Sequence, residues 1–159
     1  MLLQYFLKKE NKYKLIADEI YINIIKISRN IHINYNFLKF QNYKSSFEII
    51  TIFMIFYMNM NKNLKKSNYK KINQFLINNF IDDLDRSLRS NGIGDMSIGK
   101  YVKNYVKKFY FRVSKLDPII NLINEKNLVK YFNYFDFVKE SKLEYAANKI
   151  INIFEDLKI

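Results

Sequence analysis

The fold of this chain depends on residues 83–100, which read Asp-Leu-Asp-Arg-Ser-Leu-Arg-Ser-Asn-Gly-Ile-Gly-Asp-Met-Ser-Ile-Gly-Lys. All three glycines of the 159-residue sequence lie in this segment. In a chain so poor in glycine, the residue is expected where the backbone must adopt a conformation that other residues resist. The segment therefore predicts a tight corner between two helices, with Gly92 in the left-handed position just past the first helix.

The residues before the corner predict an amphipathic helix. The apolar positions are Ile72, Phe75, Leu76, Phe80, Leu84 and Leu88. Side chains three and four residues apart share one helix face, so this stripe indicates a helix that ends at Ser90 or Asn91. Two acid–base pairs have the spacing of helix ion pairs, Asp82 with Arg86 and Asp85 with Arg89.

The residues after the corner predict a basic helix over about 98–116, capped by Asp95 or Ser97. The apolar positions expected to be buried are Val102, Tyr105, Val106, Phe109 and Val113. The basic positions are Lys100, Lys103, Lys107, Lys108, Arg112 and Lys115, and the range contains no acidic residue. We therefore expect a basic surface on this helix that attracts ribosomal RNA, anionic lipid or an acidic protein, with four candidate residues, Lys100, Lys103, Lys107 and Arg112.

The rest of the chain also has mostly helical apolar spacing, although its many Ile, Tyr and Phe residues are good strand formers. Further helices are predicted at about 15–27, from a Ser45 or Ser46 cap to about Asn59, from Asp117-Pro118, and from a capping box of Ser141 and Glu144, which would bury Leu143, Ile150, Phe154 and Leu157. An irregular stretch is expected at 30–44, and a solvated loop or helix end at 62–71. The sequence thus predicts an all-α fold, a single helical domain of about six to seven helices spanning residues 1–159.

Composition excludes several kinds of site. With 49% hydrophobic residues the chain can build a core, and with no cysteine it has no disulfide or thiolate metal site. The presence of one histidine, His32, argues against zinc chemistry and a histidine-based triad, and this residue is expected at the surface or its boundary. The longest apolar run, at 49–58, is about half of the roughly 20 residues that span a bilayer, so it predicts a buried helix.

The formal charge of +12 suggests an anionic partner. However, only four of the 27 basic residues are arginine, and an excess of lysine over arginine is also what an AT-rich genome imposes. A protein that grips phosphate is expected to use more arginine, whose planar group binds phosphate through two hydrogen bonds. The charge alone therefore does not identify the partner.

An enzyme is the alternative interpretation of the corner. Its four carboxylates are those of Asp82, Asp83, Asp85 and Asp95, and such a cluster can hold Mg²⁺ or perform acid–base chemistry. However, Arg86 and Arg89 are spaced to neutralise two of them, and no histidine or activated nucleophile lies nearby in the sequence. We therefore predict no catalytic residue, no metal and no cofactor. The corner is then either a structural turn or a charged docking edge for another protein.

Residues 83–98 and the basic helix through Phe109-Tyr110-Phe111-Arg112 resemble the ubiquinol-cytochrome c chaperone family. The family pattern is Asp-x-Asp-x-x-Leu-Arg-Glu-x-Gly-Val-Gly-Asp-x-x-Val, followed by a basic helix that ends in Phe-Tyr-Gly-Arg. This chain departs from the pattern where Ser90 replaces Glu and Phe111 replaces Gly. Upstream of it, Ser46 replaces an Arg that is common before a Phe-Glu pair, and Phe53 replaces a later His. The resemblance covers about 73–116, with a weaker similarity over 35–63, and so implies a family core at about 35–116.

The resemblance implies an all-helical, non-enzymatic assembly factor for the respiratory cytochrome bc complex. It implies cytochrome b as the client, with the ribosome and a small protein as further partners. Because His32 alone could not supply a well-defined haem site, we predict no bound haem. The residues carried over as candidate partner contacts are Asp83, Asp85, Arg89, Gly92, Gly94 and Asp95, beside the four basic residues. Aromatic side chains at Tyr101, Phe111 and 131–137 would shelter a membrane segment of the client. The alternative is a basic ribosome- or RNA-binding module.

The location expected from the resemblance is the cytoplasm with peripheral contact to the inner membrane for a bacterial protein, and the mitochondrion for a eukaryotic one. Residues 1–14 have no small-residue cleavage site and no arginine, which suits neither a secretory signal nor a mitochondrial transit peptide. We therefore expect the bacterial location.

Overall fold

The structure, a computed structural model, describes the backbone of residues 2–63, 68–120 and 124–157, and the side chains of 12–62, 68–115 and 124–157. The elements are α1 (Leu2–Asn34), α2 (Tyr43–Asn63), α3 (Tyr69–Ser90), α4 (Asp95–Ile120), α5 (Glu125–Phe135), a 3₁₀ turn (Glu140–Lys142) and α6 (Leu143–Asp156). The predicted fold class, a single all-α domain of about six to seven helices, is confirmed. The extent of that domain, 1–159 with a family core at 35–116, stays a prediction.

Several helix boundaries differ from the predicted ones. The first helix runs from Leu2 to Asn34, so the irregular stretch is confined to about 35–42. The second helix is capped by Asn42, whose side-chain oxygen accepts a hydrogen bond from the backbone N–H of Ser45 at 3.2 Å. The predicted caps at Ser45 and Ser46 are therefore wrong, because an Asx side chain one turn earlier satisfies the same backbone donors.

The predicted helix start at Asp117-Pro118 is also wrong, because α4 continues to Ile120 and the next helix starts at Glu125. The Asn124 side chain caps that helix by accepting from the N–H of Asn127 at 2.9 Å. The predicted capping box at Ser141 is replaced by the 3₁₀ turn, and α6 begins at Leu143 without a side-chain cap. The lysine-rich run includes the end of α2 and the start of α3, while its residues 64–67 lie outside the described residues.

The described residues group into two compact units. The first unit comprises Met1–Asn23 and Tyr57–Phe111, and the second comprises Ile24–Phe56 and Arg112–Ile159. In the first unit, α3 buries the expected stripe, consisting of Ile72, Leu76, Phe80, Leu84 and Leu88, together with Ile77. Phe75 is only half-buried. The ring of Phe80 contacts that of Phe109 with centroids 5.1 Å apart.

Polar contacts in the first unit connect α3 to α1 and α2. The hydroxyl of Tyr21 donates to the Asp83 carboxylate at 2.8 Å, and the Asn79 side chain donates to Asp18 at 2.8 Å. The Asn73 side chain donates to the carbonyl of Met58 at 3.1 Å. These bonds fix the orientation of α3 within the unit, because two of its partners lie on α1 and the third lies on α2.

The second unit is built around the apolar part of α2. Every residue from Thr51 to Phe56 is buried, which confirms that the run at 49–58 forms a buried helix. The ring of Phe56 lies 4.5 Å from that of Phe154 on α6. Of the residues predicted to be buried in the last helix, Ile150 and Phe154 are buried, whereas Leu143 and Leu157 are half-buried.

An extended pairing connects the two irregular segments of the second unit. The N–H of Lys39 donates to the carbonyl of Phe137, and the N–H of Lys139 donates to that of Phe37, each at 2.9 Å. The chain reverses at Asp136, which has a positive φ of 52° at the end of α5 and pairs with Lys39. In the described part of the chain this bridge is the only strand-like pairing.

Among the described helices, we find no segment whose length and hydropathy would suffice for a membrane span.

Candidate functional site

The corner between α3 and α4 has the backbone geometry that the glycines predict. Gly92 has a φ of +88°, its N–H donates to the carbonyl of Arg89 at 2.9 Å, and the N–H of Ile93 donates to that of Leu88 at 3.2 Å. These two bonds define a Schellman motif, the common way to end a helix at a left-handed residue. The predicted position of Gly92 and the helix end at Ser90 are therefore confirmed.

The next helix begins one residue after the second glycine. The carbonyl of Gly94 accepts hydrogen bonds from the N–H groups of Ser97 and Ile98 at 3.0 and 3.1 Å. Asp95 is the first residue of α4 rather than its side-chain cap, and its carboxylate stands at the positive end of the helix dipole. The predicted cap at Asp95 or Ser97 is thus wrong, because the backbone of Gly94 already starts the helix.

Arg89 joins the two helices at the corner. Its guanidinium donates to Asp85 on α3, with Nε 2.7 Å from Oδ2, and also to Asp95 on α4. Hydrogen bonds to Asp85 and then to Asp95 raise the pKa of Arg89 above its ordinary value. The predicted pair of Asp85 with Arg89 is confirmed. We call Asp85, Arg89 and Asp95, with Gly92 and Gly94, the glycine corner.

Asp83 does not belong to the glycine corner. Its carboxylate accepts the hydrogen bond from Tyr21 and is half-buried, so it holds α3 against α1. Among the described residues, no group of three or more His, Cys, Asp or Glu side chains could hold a metal ion. The His32 ring is half-buried, with Nδ1 2.8 Å from the carbonyl of Ser28, as expected for a boundary residue.

A pair of substitutions tests the glycine corner. We expect Gly92→Ala to lower the free energy of unfolding by about 1–2 kcal/mol, because an L side chain resists the left-handed conformation. Gly99→Ala is the matched control. Gly99 lies inside α4 with open space for a methyl group, so we expect this substitution to raise the free energy of unfolding by about 0.5–1 kcal/mol. Chemical denaturation measures both, and the same sign for the two variants would contradict the assigned geometry.

The basic positions of α4 divide into two groups. Lys100, Lys103 and Lys107 are exposed, and no ion pair reaches them from any side chain that the structure describes. We call these three residues the basic face. By contrast, the ammonium of Lys108 lies 4.8 Å from the centre of the Tyr105 ring. Ser97, Lys100, Tyr101 and Asn104 line a shallow cavity of about 260 Å³ beside the basic face.

Arg112 is the one basic candidate that is not at the surface. It is buried in the second unit, with only 8% of its surface exposed. Its Nε donates to Glu48 Oε2 at 2.7 Å, and its Nη2 donates to Glu48 Oε1. The expectation that Arg112 shares the exposed face of α4 is wrong, because the guanidinium binds a buried carboxylate through two hydrogen bonds.

Aromatic side chains surround the buried pair of Glu48 and Arg112. The guanidinium carbon lies 4.2 Å from the centre of the Phe135 ring and 5.1 Å from that of Phe47. The Tyr131 hydroxyl donates to Glu48 Oε2 at 3.2 Å. Burial, and then the Glu48 carboxylate, raise the pKa of Tyr131 well above its ordinary value, so the phenol stays a donor.

Glu48 is the important residue that the sequence analysis did not select. It is the single acid of α2 and stands at the start of a run of buried apolar residues, with no exposed surface. A lone carboxylate at such a position needs a buried partner, and this was the signal in the sequence. The aromatic segment 131–137 also differs from expectation. Tyr131, Phe132 and Phe137 are buried in the core, and Tyr134 is exposed.

Comparison with known proteins identifies the relatives of this chain. The model of the family described as ubiquinol-cytochrome C chaperone matches residues 41–128, more than half of the chain. The chain is also similar to the crystal structure of the Cbp3 homolog from Brucella abortus, with a TM-score of 0.76 and 20% identity over 99% of this chain and 88% of that one. This structural likeness establishes a shared fold. No protein of curated function matches the chain.

Proposed function

Because the chain belongs to the ubiquinol-cytochrome C chaperone family, we propose that it is a non-enzymatic chaperone that binds newly made cytochrome b during assembly of ubiquinol-cytochrome c reductase. The observation that carries the proposal is the family match over 41–128, which includes the glycine corner, the basic face, Glu48 and Arg112. The proposed location is the membrane surface where the client is inserted, cytoplasmic in a bacterium and mitochondrial in a eukaryote.

The glycine corner is the proposed contact for the client protein. Its charged groups lie at the surface, with side-chain exposures of 39% for Asp85, 44% for Arg89 and 87% for Asp95. The backbone of the corner is fixed by the Schellman motif and by the ion pairs that join α3 to α4. A rigid surface turn that presents both signs of charge suits a docking edge, because little conformational freedom is lost on binding.

The buried pair has a different role in this proposal. Glu48 and Arg112 are inaccessible to a partner, so they act by holding the second unit in one arrangement. Buried ion pairs can specify a unique packing even where they add little stability. The pair therefore supports the chaperone without touching the client.

The test is capture of cytochrome b during its synthesis. A tagged protein is expressed in its own host, proteins are pulse-labelled, cross-linked and purified under denaturing conditions, and cytochrome b is identified by immunoblotting. We expect cytochrome b to be captured directly after the pulse and to be lost during the chase. Capture of ribosomal or other proteins without cytochrome b would contradict the client assignment. The same purification reports whether the ribosome or a small partner protein is bound.

A matched pair of arginine variants tests the contact. We expect Arg89→Ala to reduce the captured cytochrome b at least several-fold, because it removes the group that joins both helices at the docking edge. Arg86→Ala is the control, since Arg86 is also exposed on α3 but has no place in the glycine corner. Equal capture by the two variants would show that the client binds elsewhere.

A further inference from the structure

The solvent-facing side of α4 carries an unusual combination of side chains. Lysines form its centre, and exposed apolar or aromatic residues lie at both ends. The members of this set, which we call the α4 outer face, are Met96, Lys100, Lys103, Lys107, Tyr110 and Phe111. They follow one another by three or four residues, with Phe111 beside Tyr110, and so share one side of the helix over about 22 Å. The opposite side is buried at Ile98 and Phe109.

The apolar members are exposed to an extent that is unusual for their residue types. The exposed fraction is 102% for Met96, 51% for Tyr110 and 44% for Phe111. Covering large apolar side chains with another phase or a partner lowers the free energy, because apolar surface is removed from water. The α4 outer face thus has the composition of an interface.

The charge of this face is uncompensated. The sequence from Ile98 to Leu116 contains no acidic residue, and the three central lysines have no ion pair among the described side chains. The neighbouring lysines of the helix are held by aromatic rings of the protein, Lys108 by Tyr105 and Lys115 by Tyr134. The partner of the α4 outer face must therefore be anionic.

We propose that the α4 outer face binds the anionic surface of a lipid bilayer, with its lysines at the headgroups and its terminal Met, Tyr and Phe side chains in the interfacial region. Lysine stems bury their methylene groups while the ammonium stays at the lipid phosphates, and tyrosine favours the same depth. A flat stripe of this length matches a planar surface. Phosphates of a nucleic acid would leave the fully exposed Met96 without an apolar partner.

This inference rests on the proposed function in one respect only, namely that the client is a membrane protein and the chaperone must reach the bilayer. The binding itself needs no client. It is therefore measured with purified protein and sedimented vesicles, comparing mixed phosphatidylglycerol and phosphatidylcholine vesicles with vesicles of phosphatidylcholine alone. We expect binding to the anionic vesicles and little to the neutral ones, with the affinity falling as salt is added.

Two sets of variants locate the binding surface. The triple variant Lys100→Gln, Lys103→Gln, Lys107→Gln should weaken binding to anionic vesicles by tenfold or more, since each lysine near such a surface contributes about 1 kcal/mol, or roughly fivefold. The control, Lys26→Gln, Lys70→Gln, Lys126→Gln, loses the same charge from exposed positions elsewhere and should bind nearly as the parent does. Met96→Ser should weaken vesicle binding by about threefold or more and leave the helix content unchanged.

The outcomes separate this inference from the proposed function. Failure of the parent protein to bind anionic vesicles, or equal losses in the two triple variants, would overturn the lipid assignment. Preferential binding of a ribosomal RNA fragment that Met96→Ser does not weaken would also overturn it. If vesicles fail while cytochrome b is still captured in the cell, the proposed function stands without this surface. If vesicles bind but cytochrome b is not captured, the surface stands and the client assignment is wrong.

Discussion

Replacing Arg112 with leucine is expected to lower the free energy of unfolding by about 3–5 kcal/mol. Among the side chains that the structure describes, the substitution leaves the Glu48 carboxylate in the core with the Tyr131 hydroxyl as its one partner. A charge that is buried and unpaired must either be carried at a high cost or be neutralised by a proton. Thermal and chemical denaturation of the whole chain measure the loss, and circular dichroism checks that the variant is still helical.

The double variant provides the control for the buried pair. Glu48→Leu with Arg112→Leu removes both charges and fills the space with apolar groups, so it should be more stable than either single leucine variant. Arg112→Lys keeps the charge but cannot form the two-bonded contact, and should fall between the parent and Arg112→Leu. A single variant that costs less than about 1 kcal/mol would mean that the pair is hydrated and not part of the core.

Phe109→Ala is also expected to have a large effect. It should lower the free energy of unfolding by about 3–5 kcal/mol. Phe109 is 1% exposed, and its ring contacts Phe80 of α3 within the first unit. Truncation leaves a cavity that the surrounding helices can fill only partly. The neighbouring Tyr110 is 51% exposed, so Tyr110→Ala should cost less than about 1 kcal/mol. Similar losses in the two variants, measured by chemical denaturation, would contradict the orientation assigned to α4.

The residues of the glycine corner could be predicted because their signals are local. Glycine at 92 has one main structural use in a chain that contains so few glycines, and the stripe from Ile72 to Leu88 has the helical period. A Schellman motif is specified by a handful of consecutive residues, so no distant contact can easily override it. The same holds for the pair of Asp85 with Arg89, which depends only on a spacing of four along one helix.

The residue type of Arg112 suggests an exposed side chain, whereas its position in the helix indicates a buried one. It follows Phe109 by three residues and Tyr105 by seven, which puts it in the apolar seam of the helix. The expectation of one solvated basic face is therefore wrong at this position. Its partner Glu48 lies 64 residues away, and no local pattern connects the two. The predicted helix caps were wrong because other groups stand at the helix starts. The Asn42 side chain, the Gly94 backbone and the 3₁₀ turn lie where serines or Asp95 were expected to act as caps.

We propose that this protein is required to assemble ubiquinol-cytochrome c reductase because it binds newly made cytochrome b. The most direct measurement deletes the gene in its host and follows haem-stained cytochrome b and quinol:cytochrome c reductase activity in the membranes, with the parent gene and the Arg86→Ala and Arg89→Ala variants reintroduced. We predict loss of cytochrome b and of reductase activity with the other respiratory complexes intact, rescue by the parent and by Arg86→Ala, and poor rescue by Arg89→Ala. Normal cytochrome b in the deletion strain would show that the protein is not required for assembly of the complex.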